Sequence, residues 1–69
     1  MDYRKLRGAI IGTCGSIGKC AEKLGIDRAT LSTRLNGRSE WRADEIRKLT
    51  VLLSIPTEEL HLYFFAEML

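Results

Sequence analysis

The chain has 69 residues and a formal net charge of +2, so we expect it to form a single domain spanning residues 1–69. No apolar run approaches the roughly 18–20 residues that a membrane-spanning helix requires, and no apolar N-terminal stretch with a cleavage site indicates secretion. We therefore expect a cytoplasmic protein with no membrane partner, in which cysteine thiols stay reduced.

Charge is distributed unevenly along the chain. Residues 1–48 contain all eleven lysines and arginines against six acidic residues, which gives this part a net charge of +5. Residues 49–69 contain three acidic residues and no lysine or arginine. This asymmetry indicates a polyanionic partner for the first part and a different role for the second.

Apolar residues at helical spacing predict an all-α, compact domain of five helices without strands. The predicted helices span residues 2–13, 16–24, 28–35, 43–53 and 57–68. Ser16 and Asp27 are expected to cap the second and third helices, because short polar side chains bind the unpaired N–H groups at a helix start. Gly25 and Gly37 are expected to follow the ends of those helices, where glycine adopts the left-handed conformation at little cost.

The residues that could carry chemistry are few. Cys14, Cys20 and His61 do not complete the set of about four ligands that a closed zinc site needs. Both cysteines are expected to be small buried residues, with a disulfide or a metal as the alternative. The glycine-rich segment 12–20 lacks the spacing of a phosphate-binding loop, and no nucleophile has a base at a fixed offset. We expect no enzyme, cofactor, metal or small-molecule substrate.

The segment 16–36 meets the requirements of a helix-turn-helix. Ala21 supplies a small side chain where the second and third helices cross, and Gly25 tolerates the positive φ that the turn needs. Apolar anchors flank the turn, namely Leu24, Ile26 and Leu31. The third helix carries short polar side chains, which would let it enter a DNA major groove about 12 Å wide. Arg28 in its first turn is suited to a guanine edge.

Here the sequence resembles the helix-turn-helix of phage Cro and repressor proteins (the XRE-like group). The matching strings are AEKLGI at 21–26, TLS at 30–32, LNGR at 35–38, EIRKL at 45–49 and LLSIPTEEL at 52–60. The resemblance implies a lambda-repressor-like domain that binds operator DNA as a homodimer. It also implies regulation of transcription in a phage or prophage, and thus a protein of the bacterial cytoplasm associated with the nucleoid.

The resemblance also implies roles for single residues. The expected base-reading residues are Asp27, Arg28, Ala29 and Thr33. The expected phosphate contacts are Ser16, Ile17 (through its amide), Lys19, Asn36, Arg38 and Arg42. The chain departs from the family at Arg34, where many members have an apolar anchor, and Leu35 is expected to take that role. Whether Thr33 or Arg34 faces the bases is left open by the sequence.

The fifth predicted helix is apolar on two sides. One stripe consists of Leu60, Phe64 and Met68, and the other of Leu62, Phe65 and Leu69 with Tyr63 at its edge. Such a helix is either buried on both sides or shared with a partner. We expect a homodimer contact made by Leu62, Tyr63, Phe65 and Leu69, and a wide stripe facing the core is the alternative.

A second hypothesis is a protein-interaction module of the antitoxin or anti-repressor kind. The helix-turn-helix would then serve as scaffold, and the apolar C-terminal helix would dock on a partner. Asp27 favours this hypothesis, because phosphate repels a carboxylate at the start of a reading helix.

Overall fold

The computed structural model describes residues 3–64. This range contains five α-helices: α1 (Arg4–Cys14), α2 (Ile17–Leu24), α3 (Arg28–Leu35), α4 (Ala43–Leu52) and α5 (Leu60–Phe64). One turn of 3-10 helix, Thr57–Glu59, leads into α5. The described range has no strand, which confirms the predicted all-α class. Within it, no helix combines the length and apolar character needed to cross a membrane.

The bounds of the first four helices lie within two residues of the predicted ones. The fifth helix begins at Leu60 rather than at residue 57, because residues 57–59 form the 3-10 turn. The helix α1 begins at Arg4 rather than residue 2 and continues to Cys14, because the left-handed residue that ends it is Gly15, with φ 93°. The helix α4 ends at Leu52, one residue early, and Ser54 then takes a positive φ of 54°. The predicted residues 65–68 of the last helix lie outside the described range.

The second and third helices are capped differently. Ser16 caps α2 as predicted, since its Oγ accepts the backbone N–H of Lys19 at 3.1 Å. Gly25 ends α2 in the left-handed conformation, with φ 76° and ψ 28°. Asp27 occupies the N-cap position of α3, but its side chain makes no capping hydrogen bond, so this part of the prediction is wrong. Asp27 is exposed, and an exposed carboxylate gains little from an intramolecular hydrogen bond over one to solvent.

The core is built from the inward faces of the helices around α2. This helix packs against α1, α3 and α4, while α1 also packs against α5. The most deeply buried side chains are Leu6, Ile10, Cys20, Leu31, Leu35, Leu49 and Phe64. Cys14 and Cys20 are free and buried, which confirms the expectation of two buried thiols. The exposed surface of α3 is therefore held in place through a central helix that touches most of the others.

An aromatic cluster joins the N-terminus to the last described helix. Trp41 lies edge-on to Tyr3 at 5.8 Å and edge-on to Phe64 at 5.4 Å between ring centroids. This arrangement is favourable because the positive edge of one ring meets the negative face of another. The ring partners of Trp41 thus belong to the N-terminal part of the chain and to α5. Its buried Nε1 atom has no hydrogen-bond partner in the described range.

Candidate functional site

The candidate site is the unit formed by α2, the turn and α3 (residues 16–36). Ala21 is 1% exposed on α2, which packs against α3, as expected of a small side chain at the crossing of the two helices. The backbone N–H of Ile26 donates to the carbonyl of Ala21 at 3.1 Å, which fixes the chain reversal after α2. Leu24 and Leu31 are buried on either side of the turn. Local sequence features thus determine the angle at which α3 leaves α2.

Arg28 and Ala29 are exposed in the first turn of α3. The stem of Arg28 lies beside Gly18 near the start of α2, so that a methyl group at Gly18 would sit 3.5 Å from Arg28 Cδ. Arg28 Nε would lie 3.9 Å from the same methyl group, so the side chain passes the first turn of α2 while the residue remains exposed. A cation in this position is available to an anionic or base-edge ligand that approaches both helix starts.

The structure resolves which side chain of the third helix turns toward solvent. Arg34 is mostly buried: its Nε donates to Glu45 Oε1 at 2.6 Å and its Nη1 to Ser39 Oγ at 2.7 Å. Leu35 is 2% exposed and is the apolar anchor, as predicted. Thr33 is partly exposed, but its hydroxyl donates to the Ala29 carbonyl at 2.8 Å. The hydroxyl proton of Thr33 is therefore engaged, which leaves its methyl group and an acceptor oxygen for a ligand, and Arg34 is not available.

Glu45 is a buried carboxylate at the start of α4, 3% exposed. Burial by itself raises the pKa of this carboxyl, but hydrogen bonds from Arg34 and from the backbone N–H of Arg42 outweigh it and hold the pKa below its ordinary value. Glu45 is therefore ionised at neutral pH and neutralises Arg34. The pair joins α3 to α4 and leaves the opposite side of α3 exposed.

The start of α2 offers donors for a phosphate. The first amides of a helix have no acceptor within the helix, and Ile17 supplies one of them. Ser16 accepts the Lys19 N–H, which leaves its hydroxyl proton for donation. The side chain of Lys19 is exposed. The three predicted phosphate contacts in this region therefore lie together at one helix end, where the helix dipole favours an anion.

The predicted contacts beyond α3 are less uniform. Asn36 is exposed, but its Oδ1 accepts a hydrogen bond from Arg7 Nη2 at 3.2 Å. The same Arg7 atom donates to the Leu35 carbonyl at 3.3 Å, so Arg7 caps the end of α3. Arg38 is exposed, whereas Arg42 pairs with Asp44 at 3.1 Å on the surface. Arg7 was missed as a structural residue, because no local pattern connects it with a partner 28 residues away.

The predicted dimer candidates are only partly described. Leu62 is 38% exposed. Tyr63 is half-buried and receives Lys5 Nζ over its ring at 5.0 Å, so an intramolecular contact already covers part of it. Phe65 and Leu69 lie outside the described residues. His61 is exposed, and residues 3–64 contain no group of three histidine, cysteine or acidic side chains placed to hold a metal.

Comparison with solved structures shows a similarity to a phage protein. No curated protein matches the chain. The solution structure of the modulator of repression (MOR) of the temperate bacteriophage TP901-1 from Lactococcus lactis is similar, with a TM-score of 0.80 and 34% sequence identity. The match covers 93% of this chain and 86% of the phage protein. This similarity confirms the all-α fold. It also confirms the coarser part of the predicted resemblance, namely similarity to a phage regulatory protein. Membership of the Cro and repressor group stays a prediction.

The family comparison covers nearly the whole chain. Residues 1–67 match the family described as "Protein of unknown function (DUF739)". The matched range includes the α2–turn–α3 unit and all five helices. The chain therefore belongs to the DUF739 family.

Proposed function

We propose that this chain is a transcription regulator of a temperate phage or prophage that binds duplex DNA in a sequence-specific manner. The observation that carries the proposal is the arrangement at the start of α3. Arg28 and Ala29 are exposed there, and Arg28 lies beside the start of α2 at Gly18. The cation and the small side chain of α3 are suited to contact base edges. The adjacent N-terminus of α2 is suited to contact a neighbouring phosphate.

Base reading falls to the first turn of α3 in this proposal. Arg28 would donate two hydrogen bonds to a guanine edge, and Ala29 would contact a thymine methyl. The exposed and uncapped carboxylate of Asp27 has the chemistry to accept from the amino group of cytosine. Thr33, whose hydroxyl is bonded to the Ala29 carbonyl, would contribute its methyl group.

Phosphate contacts would frame the reading helix on both sides. Ser16, Ile17 and Lys19 lie at the start of α2. Asn36 and Arg38 follow α3, with Arg42 further along. Asn36 retains its amide nitrogen as a donor, because only its oxygen is engaged by Arg7. Arg42 would have to exchange its exposed partner Asp44 for phosphate, a small cost for a surface ion pair.

The proposal includes a homodimer on DNA. Two copies would place their α3 helices in successive major grooves about 34 Å apart and would bind a palindromic site. The exposed Leu62 and the edge of Tyr63 support a contact through the C-terminal part of the chain. A regulator of this kind acts in the cytoplasm of the host at the nucleoid, and it needs no cofactor, substrate or catalytic residue.

The deciding experiment is selection of bound sequences from a random duplex pool. We expect a palindromic consensus with half-sites one helical turn apart. The affinity for the selected site should fall steeply with salt, with a logarithmic slope near −0.9 per phosphate contacted. Absence of any mobility shift at low salt, on selected or random duplex, would show that the chain does not bind DNA.

A protein-interaction module is the second candidate function. The name of the lactococcal phage protein describes modulation of repression, an activity compatible with contact to DNA or to another regulator. The uncapped carboxylate of Asp27, which phosphate would repel, favours protein contact. In that case the chain would fail to shift duplex DNA at low salt, and substitutions at the exposed Leu62 would weaken binding to the partner.

A further inference from the structure

An open groove separates the C-terminal half of α2 from α4. It has a volume of about 490 Å³ and is lined by Lys23, Leu24, Arg47, Lys48, Val51 and Leu52. None of the ten residues assigned above to DNA contacts lines it. The groove is therefore a surface that the proposed DNA-binding role does not use.

The floor of the groove is apolar and incompletely covered. Val51 is 80% exposed, which makes it the most exposed large hydrophobic side chain in the described range. It stands beside Leu24 and Leu52, which belong to the core or pack against it. A valine here is less favourable for the helix than an unbranched residue and gains nothing from the core. Contact with a partner would bury it.

The rim of the groove is cationic. Lys23, Arg47 and Lys48 contribute three positive charges, and no acidic side chain of residues 3–64 lines the groove. Lys48 Nζ donates to the Leu24 carbonyl at 3.3 Å, so one of these charges is held at the edge. Asp44 lies one turn before Lys48 in α4, and its carboxylate pairs with Arg42 rather than with a cation of the groove. The complementary ligand combines negative charge at its edges with an apolar centre.

We propose that this groove binds an acidic amphipathic helix of a partner protein, with an apolar side chain packed on Val51 and carboxylates beside the three cations. Helices commonly bind in this way, through one or two anchors placed at helical spacing in an apolar groove. Because the rim is cationic, charge complementarity requires a negatively charged partner. Duplex DNA would satisfy the cations, but its apolar groups are small thymine methyls at the base edges, behind the charged backbone, and would cover Val51 poorly. The composition of the groove therefore favours protein.

The test uses the full chain and helical peptides of about 15 residues. One display library carries leucine, isoleucine or phenylalanine at helical spacing with glutamate and aspartate between them, and a matched library carries lysine and arginine instead. The tightest acidic peptide is then titrated into isotope-labelled protein. We expect enrichment from the acidic library alone and amide shift changes centred on Lys23, Leu24, Arg47 and Val51.

Two pairs of variants make the test specific. Val51→Ser should lower the affinity for the peptide at least about fivefold. Ile11 is an exposed apolar residue outside the groove, and Ile11→Ser should change this affinity less than about twofold. Arg47→Glu should lower the affinity for the peptide at least about tenfold. Arg38→Glu makes the same charge change outside the groove and should lower this affinity much less. All four side chains are exposed, so folding is retained.

Four results would overturn the proposal. The first two are equal enrichment from the basic library and the absence of any binder in the acidic library. The third is amide shift changes that lie away from the groove. The fourth is amide shift changes in the groove that random duplex DNA produces and the peptide does not. The outcome is independent of DNA reading. Arg28→Ala alters duplex recognition without touching the groove, and Val51→Ser alters the groove without touching α3. Failure of one proposal therefore leaves the other standing.

Discussion

Arg34 and Glu45 form an ion pair between α3 and α4, with Arg34 Nε 2.6 Å from Glu45 Oε1. The side chains are only 15% and 4% exposed. Glu45 Oε1 also accepts the backbone N–H of Arg42 at 2.9 Å, so the same carboxylate starts α4. One buried carboxylate thus fixes both where α4 begins and which side of α3 turns outward.

Glu45→Gln should lower the free energy of unfolding by about 2–4 kcal/mol, because it leaves the poorly exposed Arg34 guanidinium without a compensating charge. Urea denaturation at neutral pH measures this change. Asp44→Asn is the matched control, since the Asp44–Arg42 pair is exposed and its loss should not shift the midpoint measurably. Equal midpoints for Glu45→Gln and Asp44→Asn would contradict the role of Glu45.

The same pair predicts a dependence of stability on pH. The pKa of Glu45 is lower in the folded chain than its ordinary value of 4.5. Its contribution is therefore fully present above pH 4.5 and is lost as the pH falls through the folded-state pKa. The free energy of unfolding of the wild type should decline in this acidic range more steeply than that of Glu45→Gln. Parallel curves for the two proteins would show that another group titrates.

The sequence was informative where structure depends on local chemistry. Ser16, Ala21 and Gly25 each act on residues within a few positions, so the cap, the crossing and the turn could be predicted from spacing alone. The apolar periodicity of α1 to α4 was equally local. For these reasons the bounds of α2 and α3 follow from the local sequence to within one residue.

Long-range partners could not be predicted in the same way. Arg7 bonds to the end of α3 across 28 residues, and Arg34 bonds to Glu45 across 11. An arginine on an amphipathic helix has the same sequence pattern whether it faces solvent or a carboxylate of another helix. Which cations remain for a ligand therefore depends on tertiary packing. Of the candidate site's exposed cations, Lys19, Arg28 and Arg38 have no ion-pair partner within residues 3–64.

Cys20 should react very slowly with alkylating reagents in the folded chain. Burial, together with the hydrogen bond to Cys14, raises the pKa of the Cys20 thiol from 9.0 to about 12. The reactive thiolate at pH 8 is then about a thousandfold rarer than in an ordinary cysteine. Mass spectrometry after iodoacetamide treatment should find Cys20 unmodified in native protein and modified in urea. Similar rates in both conditions would contradict its burial.

Gly18→Ala should raise the free energy of unfolding by about 0.5–1 kcal/mol, because glycine inside a helix costs that much relative to alanine. The added methyl would lie 3.5 Å from Arg28 Cδ, an ordinary contact. Gly25→Ala is the contrasting variant and should lower stability by about 1–2 kcal/mol, since Gly25 has φ 76°. Thermal midpoints compare the two. A destabilised Gly18→Ala would contradict both the helix-propensity gain and the free space beside Arg28.

Arg28 and Arg38 should affect DNA binding in different ways if the proposed function holds. Arg28→Ala should cost about 1–3 kcal/mol on the selected site and relax the preference at one base pair, because its hydrogen bonds are to a base edge. Arg38→Ala should weaken all duplexes about uniformly and reduce the salt slope by about 1, as expected for a phosphate contact. Mobility shifts on selected and scrambled duplexes over a salt series measure both effects. If Arg28→Ala weakened every duplex equally, Arg28 would be a phosphate contact, and sequence reading would have to lie elsewhere on α3.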